Sequence, residues 1–204
     1  MIVIGAKGHA SEMYPSLLEK YNKERLFYFD NILTNLEKYL FDIPIIKDEC
    51  KVSKLFEKDP EFTLGIGNPN LREKMTSKFI DLGGDLISII DSKSTVDLNS
   101  TIGKGVNIMP YAAIFSNAVI ETGVLINSFS SVHHDCFIGE FSELSPGSRI
   151  LGGAKIGRLC SIGANTIILP GINVCDNVKI GAGAVVTKDI TTEGIYIGIP
   201  AIKK

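Results

Sequence analysis

Only three histidines occur in this 204-residue chain, His9, His133 and His134, and the third is followed directly by Asp135. Imidazole titrates near neutral pH, so a well-placed histidine can take the proton of a nucleophile as it attacks. A carboxylate beside the ring would orient it and stabilise its charged form. That makes His134 a candidate general base and Asp135 a candidate partner for it. Adjacent residues of an extended strand point to opposite faces, so the two side chains can meet only where the chain turns. His133 is read as facing solvent or lining a pocket.

A six-residue repeat supplies the turn. Every sixth residue from Ile90 to Val186 is aliphatic, running Ile90, Val96, Ile102, Ile108, Ile114 and so on without a break. Four places after each sits a small or β-branched residue, among them Ser94, Ala112, Ala118, Ser130, Cys136, Ser148, Cys160 and Ala184. Neither a helix nor a simple strand repeats at six, whereas a parallel β-helix makes one short strand and one corner per hexad. Three hexads close a coil of 18 residues, so residues 90–189 supply about five and a half coils. His134 is third in its hexad, close to a corner. Gly152 and Gly153 stack one coil beyond His134 and Asp135, with Pro170 and Gly171 a coil further. Glycines there would leave backbone N–H groups open to a ligand or a developing oxyanion.

Residues 1–84 have a different grammar. Apolar runs at Met1–Ile4, Leu26–Phe29, Ile43–Ile46 and Phe62–Ile66 read as strands. They alternate with helical stretches from Ala10 to Asn22, Asp48 to Lys58 and Leu71 to Leu82. Strands alternating with helices predict a small parallel sheet of half-Rossmann type. Gly83-Gly84 then separates a first domain, 1–84, from a β-helix domain, 85–204. Gly5-Ala6-Lys7-Gly8 ends the first strand in a turn whose N–H groups suit phosphate. It lacks the G-x-G-x-x-G pattern, which argues against a dinucleotide.

These features resemble the left-handed β-helix, or hexapeptide-repeat, acyltransferases. Within them the chain is similar to the branch of sialic-acid O-acetyltransferases and nucleotide-amino-sugar N-acetyltransferases. Four landmarks carry the likeness: Gly5-Ala6-Lys7-Gly8-His9; Gly67-Asn68 before a helix; Ile126-Asn127 followed by Val132-His133-His134-Asp135-Cys136-Phe137-Ile138-Gly139; and Gly194-Ile195-Tyr196-Ile197-Gly198-Ile199-Pro200-Ala201. The resemblance implies a left-handed coil, which periodicity alone does not give, since parallel crossovers are normally right-handed. It also implies a homotrimer with sites in clefts between prisms, acetyl-CoA as donor and no metal. The acceptor would be the 4-amino group of a UDP- or dTDP-linked amino-dideoxy sugar used in surface-glycan synthesis. Sialic acid O-acetylation is the alternative, and a non-catalytic β-helix module a more distant one.

By the same likeness, Gly5, Lys7, Gly8, His9, Asp30, Asn31, Gly67, Asn68, Arg72 and Asn127 would bind the acceptor. Coenzyme A would meet Glu143, Gly152, Gly153, Gly163, Ala164, Gly181 and Ala182, with Lys188, Lys203 and Lys204 near its phosphates. Glu143 is a departure, because many relatives carry a second histidine in that context. Its absence leaves His134 as the base.

Composition narrows the partners. A net charge of −2 gives no reason to expect nucleic acid or an anionic membrane surface. No apolar run is long enough to span a bilayer, and the start lacks a basic leader, so a cytoplasmic protein is expected. Cys50, Cys136, Cys160 and Cys175 show no C-x-x-C spacing and are read as reduced, with Cys136 and Cys160 packed inside the coil.

Overall fold

The computed structural model describes residues 1–32 and 38–204. Its first layer is a six-stranded sheet in the order β3-β4-β2-β1-β5-β6, formed by β1 (Ile2–Ile4), β2 (Phe27–Phe29), β3 (Tyr39–Leu40), β4 (Ile43–Ile46), β5 (Glu61–Leu64) and β6 (Asp85–Leu86). All pairings are parallel except the edge pair β3 and β4. The half-Rossmann expectation therefore holds, with two extra two-residue strands.

The helices are α1 (His9–Glu12), α2 (Tyr14–Lys20), α3 (Glu49–Phe56) and α4 (Pro69–Asp81). A single helix over 10–22 was expected. The chain instead breaks at Met13, just before Pro15, which cannot donate a backbone hydrogen bond. Sharper start signals serve the later helices: the Asp48 side chain accepts from Cys50 N at 2.9 Å, and Asn68 accepts from Leu71 N at 3.0 Å ahead of Pro69.

Beyond β6 the chain coils into a triangular prism of parallel two-residue strands, joined 18 residues apart in register on all three faces. The first face begins at Ile89–Ile90 and passes through Leu125–Ile126 and Glu143–Leu144. The second includes Ala113–Ile114, Ser131–Val132 and Arg149–Ile150, and the third Val119–Ile120 and Phe137–Ile138. The repeating aliphatics point inward as predicted, and Ile120, Ile138, Ile150 and Ile162 are wholly buried in one continuous core. Removing one of these side chains to alanine would cost about 2–5 kcal/mol, because a rigid stack cannot collapse onto the gap. All four cysteines are free; Cys136 and Cys160 lie in the interior, where their thiols donate to carbonyls.

Two apolar layers cover the sheet, and the first of them seats it on the prism. One joins Val3, Ala10, Met13 and Leu17 to Ile89, Met109 and Leu125 of the first face. The other lies on the opposite side of the sheet, around Phe29, Phe56, Phe62 and Phe79. Arg72 locks the junction. It is completely buried, and its Nε donates to Gly123 O at 2.8 Å, while Nη1 donates to Leu64 O and Ile66 O and Nη2 to Gly105 O and Asn107 Oδ1. No carboxylate forms an ion pair with it among the described residues. Burial accordingly lowers its pKa to about 9.

Candidate active site

The chain does turn between the second and third faces at 133–136, and Asp135 takes a positive φ of 59° there. That turn swings both side chains outward, so that Asp135 Oδ2 lies 2.8 Å from His134 Nδ1. On its other oxygen Asp135 accepts from Asn117 Nδ2 at 3.1 Å. The imidazole and the asparagine amide together hold the Asp135 carboxyl below its ordinary pKa. With Nδ1 tied to a carboxylate, the tautomer that keeps Nε2 as acceptor is favoured. His133 turns away and stacks on Phe115, with centroids 4.8 Å apart.

The glycines predicted to stack on this pair are in place: Gly153 N donates to His134 O at 2.9 Å, and Gly171 N to Gly152 O at 3.0 Å. Gly152 has a more specific use than an open backbone. A Cβ there would fall 2.6 Å from both Cε1 and Nε2 of His134, so the ring lies across the bare glycine. Gly153 and Gly171 face open space.

A second cluster sits on the corner between the first and second faces. Asn127 Nδ2 donates to Glu143 Oε1 at 2.7 Å, and Ser145 Oγ donates to both carboxylate oxygens at 2.9 and 3.0 Å. Burial raises the Glu143 pKa, with the two donors and distant Arg72 opposing it. Glu143 thus stands with Asn127 rather than with the glycines beside His134. Gly163, Ala164, Gly181 and Ala182 follow on that same corner. The first and third of these are tightly packed: a Cβ on Gly163 would strike Ala182 N at 2.5 Å, and one on Gly181 would strike Ile197.

In the first layer, Gly5, Asp30 and Asn31 line a cleft of about 70 Å³ with Ile4, Phe29 and Ile66. That is room for part of a nucleotide and not the whole. Asn31 donates to Glu49 Oε1 at 3.0 Å, and Asp30 accepts from Ile32 N. Gly8 and Gly67 face open space, Lys7 is exposed, and Asn68 is the cap of α4. His9 is buried with no hydrogen-bond partner on either ring nitrogen, and burial lowers its pKa. Arg72 is the correction: every donor it has is spent on carbonyls and Asn107, so it cannot also hold a nucleotide.

Among the described residues no hydrogen bond or ion pair connects His134 or Asp135 to the first layer. The cluster of Asn127 and Glu143 and the pair of His134 and Asp135 occupy different corners of one prism. Sequence reasoning missed Asn117 and Ser145. The 18-residue step that located Gly153 also runs backward from Asp135 to Asn117.

Comparison with known proteins fits both halves. The PglD N-terminal domain model matches residues 1–79, and the hexapeptide repeat of succinyl-transferase matches residues 153–188. The acetyltransferase domain of PglB from Neisseria gonorrhoeae FA1090, solved with acetyl coenzyme A, superposes with a TM-score of 0.90 at 28% identity, covering 100% of this chain and 98% of that one. Both halves of the chain thus resemble hexapeptide-repeat acyltransferases. PerB from Caulobacter crescentus, solved with CoA and GDP-perosamine, is similar to this chain at a TM-score of 0.87 and 27% identity, covering 100% and 96% of the two chains. The GDP-perosamine N-acetyltransferase of Escherichia coli O157:H7 is 27% identical over 201 residues, 96% of this chain and 81% of that one. The prism is therefore the β-helix that the hexads and landmarks implied.

Proposed function

We propose that this chain transfers the acetyl group of acetyl-CoA to the 4-amino group of a nucleotide-linked amino-dideoxy sugar, supplying surface-glycan synthesis in the cytoplasm. The observation that carries this reading is the His134 ring, tied at Nδ1 to Asp135 and lying across side-chain-free Gly152. His134 Nε2 takes a proton as the amine attacks the thioester carbon. The Gly152 N–H, which has no acceptor among the described residues, donates to the tetrahedral oxyanion. The CoA thiolate then leaves, and the proton on His134 passes to it or to solvent. No covalent enzyme intermediate is needed.

Relatives support the donor and the class of acceptor. One is solved with acetyl coenzyme A, and another with CoA and GDP-perosamine. A histidine-to-alanine variant of the Caulobacter crescentus enzyme was also solved with CoA and GDP-perosamine. GDP accordingly joins UDP and dTDP as a nucleotide to test. We assign the first layer, residues 1–84, to the acceptor, with its cleft taking part of the nucleotide and His9 offering Nε2, while Glu12 faces its Nδ1 at 3.9 Å.

A homotrimer completes this account. Tyr111 and Phe129 form an exposed stacked pair, 5.1 Å between centroids, along one margin of the second face, and half-exposed Phe115 lies on the other margin. Rings so placed are buried when a second prism lies alongside, and a three-fold ring closes without leftover surface. It would also bring His134 of one subunit toward the cluster of Asn127 and Glu143 on the next.

The test is release of free CoA from acetyl-CoA with a panel of UDP-, dTDP- and GDP-linked 4-amino sugars. Turnover with at least one is expected. No turnover with any of them, or a sedimentation mass of one chain, would overturn the reading.

A further inference from the structure

Glu143 is unusual for a largely buried carboxylate. Its contacts are an amide and a hydroxyl, and no cation lies within ion-pair distance among the described residues. Arg72 influences it electrostatically, yet all of that side chain's donors are consumed elsewhere. A carboxylate has about four lone-pair sites. Oε1 receives Asn127 and Ser145, whereas Oε2 receives Ser145 alone.

Glu143 also fixes its neighbour. Only the amide nitrogen of Asn127 can donate to a carboxylate, so Nδ2 must face Glu143 and Oδ1 must face away. The result is two adjacent hydrogen-bond acceptors with spare capacity, Glu143 Oε2 and Asn127 Oδ1. Such a surface is completed by a ligand that brings N–H groups.

We propose that Glu143, with Asn127 locked to it, selects an amine over a hydroxyl as acetyl acceptor. The inference rests on the acetyl-transfer reading above and adds the chemical basis of its selectivity. A primary amine carries two hydrogens and a lone pair. It can give one N–H to Glu143 and the other to His134 of the neighbouring subunit while the lone pair faces the thioester. A hydroxyl has one hydrogen and must leave one of these two acceptors unpaired, and a site built around a donor rejects analogues that lack it.

The test is calorimetric binding of a nucleotide-linked 4-amino sugar and its 4-hydroxy counterpart, beginning with GDP-perosamine, to the wild-type protein and to E143Q and E143D. The preference for amine over hydroxyl is a ratio within one preparation, so partial loss of folded protein cancels. Wild type should prefer the amine by about tenfold to a hundredfold, the scale of a hydrogen bond to a charged group. Glu143→Gln should bring the ratio near one, and Glu143→Asp should keep most of it. An unchanged ratio in Glu143→Gln, with both ligands still bound, would overturn the selectivity assignment alone. If wild type binds no nucleotide sugar of the UDP, dTDP and GDP series, the acetyl-transfer reading fails and takes this inference with it.

Discussion

Asp135 holds His134 through a 2.8 Å contact to Nδ1, although the two are neighbours in sequence and would diverge in any extended strand. The corner, and the positive φ of Asp135, make the contact possible. Replacing Asp135 by Asn keeps the shape but puts no charge behind the ring. We expect kcat to fall by about 10²-fold, within the range for general-base catalysis, with KM for acetyl-CoA little changed. Asn117→Ala should lower kcat only about threefold to tenfold, the worth of one hydrogen bond. Steady-state kinetics of both variants separates the two roles.

Gly152 offers a cleaner probe than the ring itself. An alanine Cβ would sit 2.6 Å from Cε1 and Nε2 of His134, so the imidazole must swing aside while the backbone stays put. Gly152→Ala should therefore lose about 10²-fold in kcat through misplacement of the base. Its thermal midpoint should hold nearly constant. Gly163→Ala makes the contrast, since its Cβ meets backbone at 2.5 Å and the prism itself must distort. Melting curves showing the reverse order would contradict this assignment.

The hexads made the prism legible because no other regular structure repeats at six. Once the 18-residue step is known, Gly152 and Gly153 follow from His134 and Asp135 by counting. Arg72 could not be read this way, because its partners are carbonyls of Gly105, Gly123, Leu64 and Ile66, which carry no sequence signal. A chain position cannot distinguish a phosphate-binding arginine from one that binds backbone. The break at Met13 was missed because apolar spacing continues across it, although Pro15 was there to be weighed. The two-residue strands β3 and β6 are too short to show a period. Asn127 and Glu143 were both singled out, but their direct bond depends on which way each side chain leaves its corner.

Arg72 sets the strength of the seam between layers. Arg72→Met strips several buried carbonyls and Asn107 of their donor and should destabilise the protein by about 3–5 kcal/mol. Urea unfolding monitored by circular dichroism reads this directly. A change below about 1 kcal/mol would mean that the apolar layer around Met13, Met109 and Leu125 holds the seam unaided.

His9 should leave a mark on stability against pH. Its folded pKa lies below the ordinary 6.5, chiefly because burial disfavours the charged ring, with Glu12 opposing and Arg72 reinforcing. Below pH 6.5 the unfolded chain then binds the proton more readily than the folded one. Stability is full above that value and declines as pH falls toward the folded pKa. His9→Leu should flatten this slope in denaturant titrations between pH 5 and about 7.5. An unaltered slope would assign the acid sensitivity to other groups.

In the proposed mechanism the imidazole of His134 takes the acceptor's proton during acetyl transfer. The measurement is the rate of CoA release with the best nucleotide amino sugar for wild type and His134→Ala, with sedimentation mass and melting temperature verified in both. We predict a loss of at least about 10²-fold in kcat for the variant, on a folded protein that still binds acetyl-CoA. Equal rates would exclude His134 as the base.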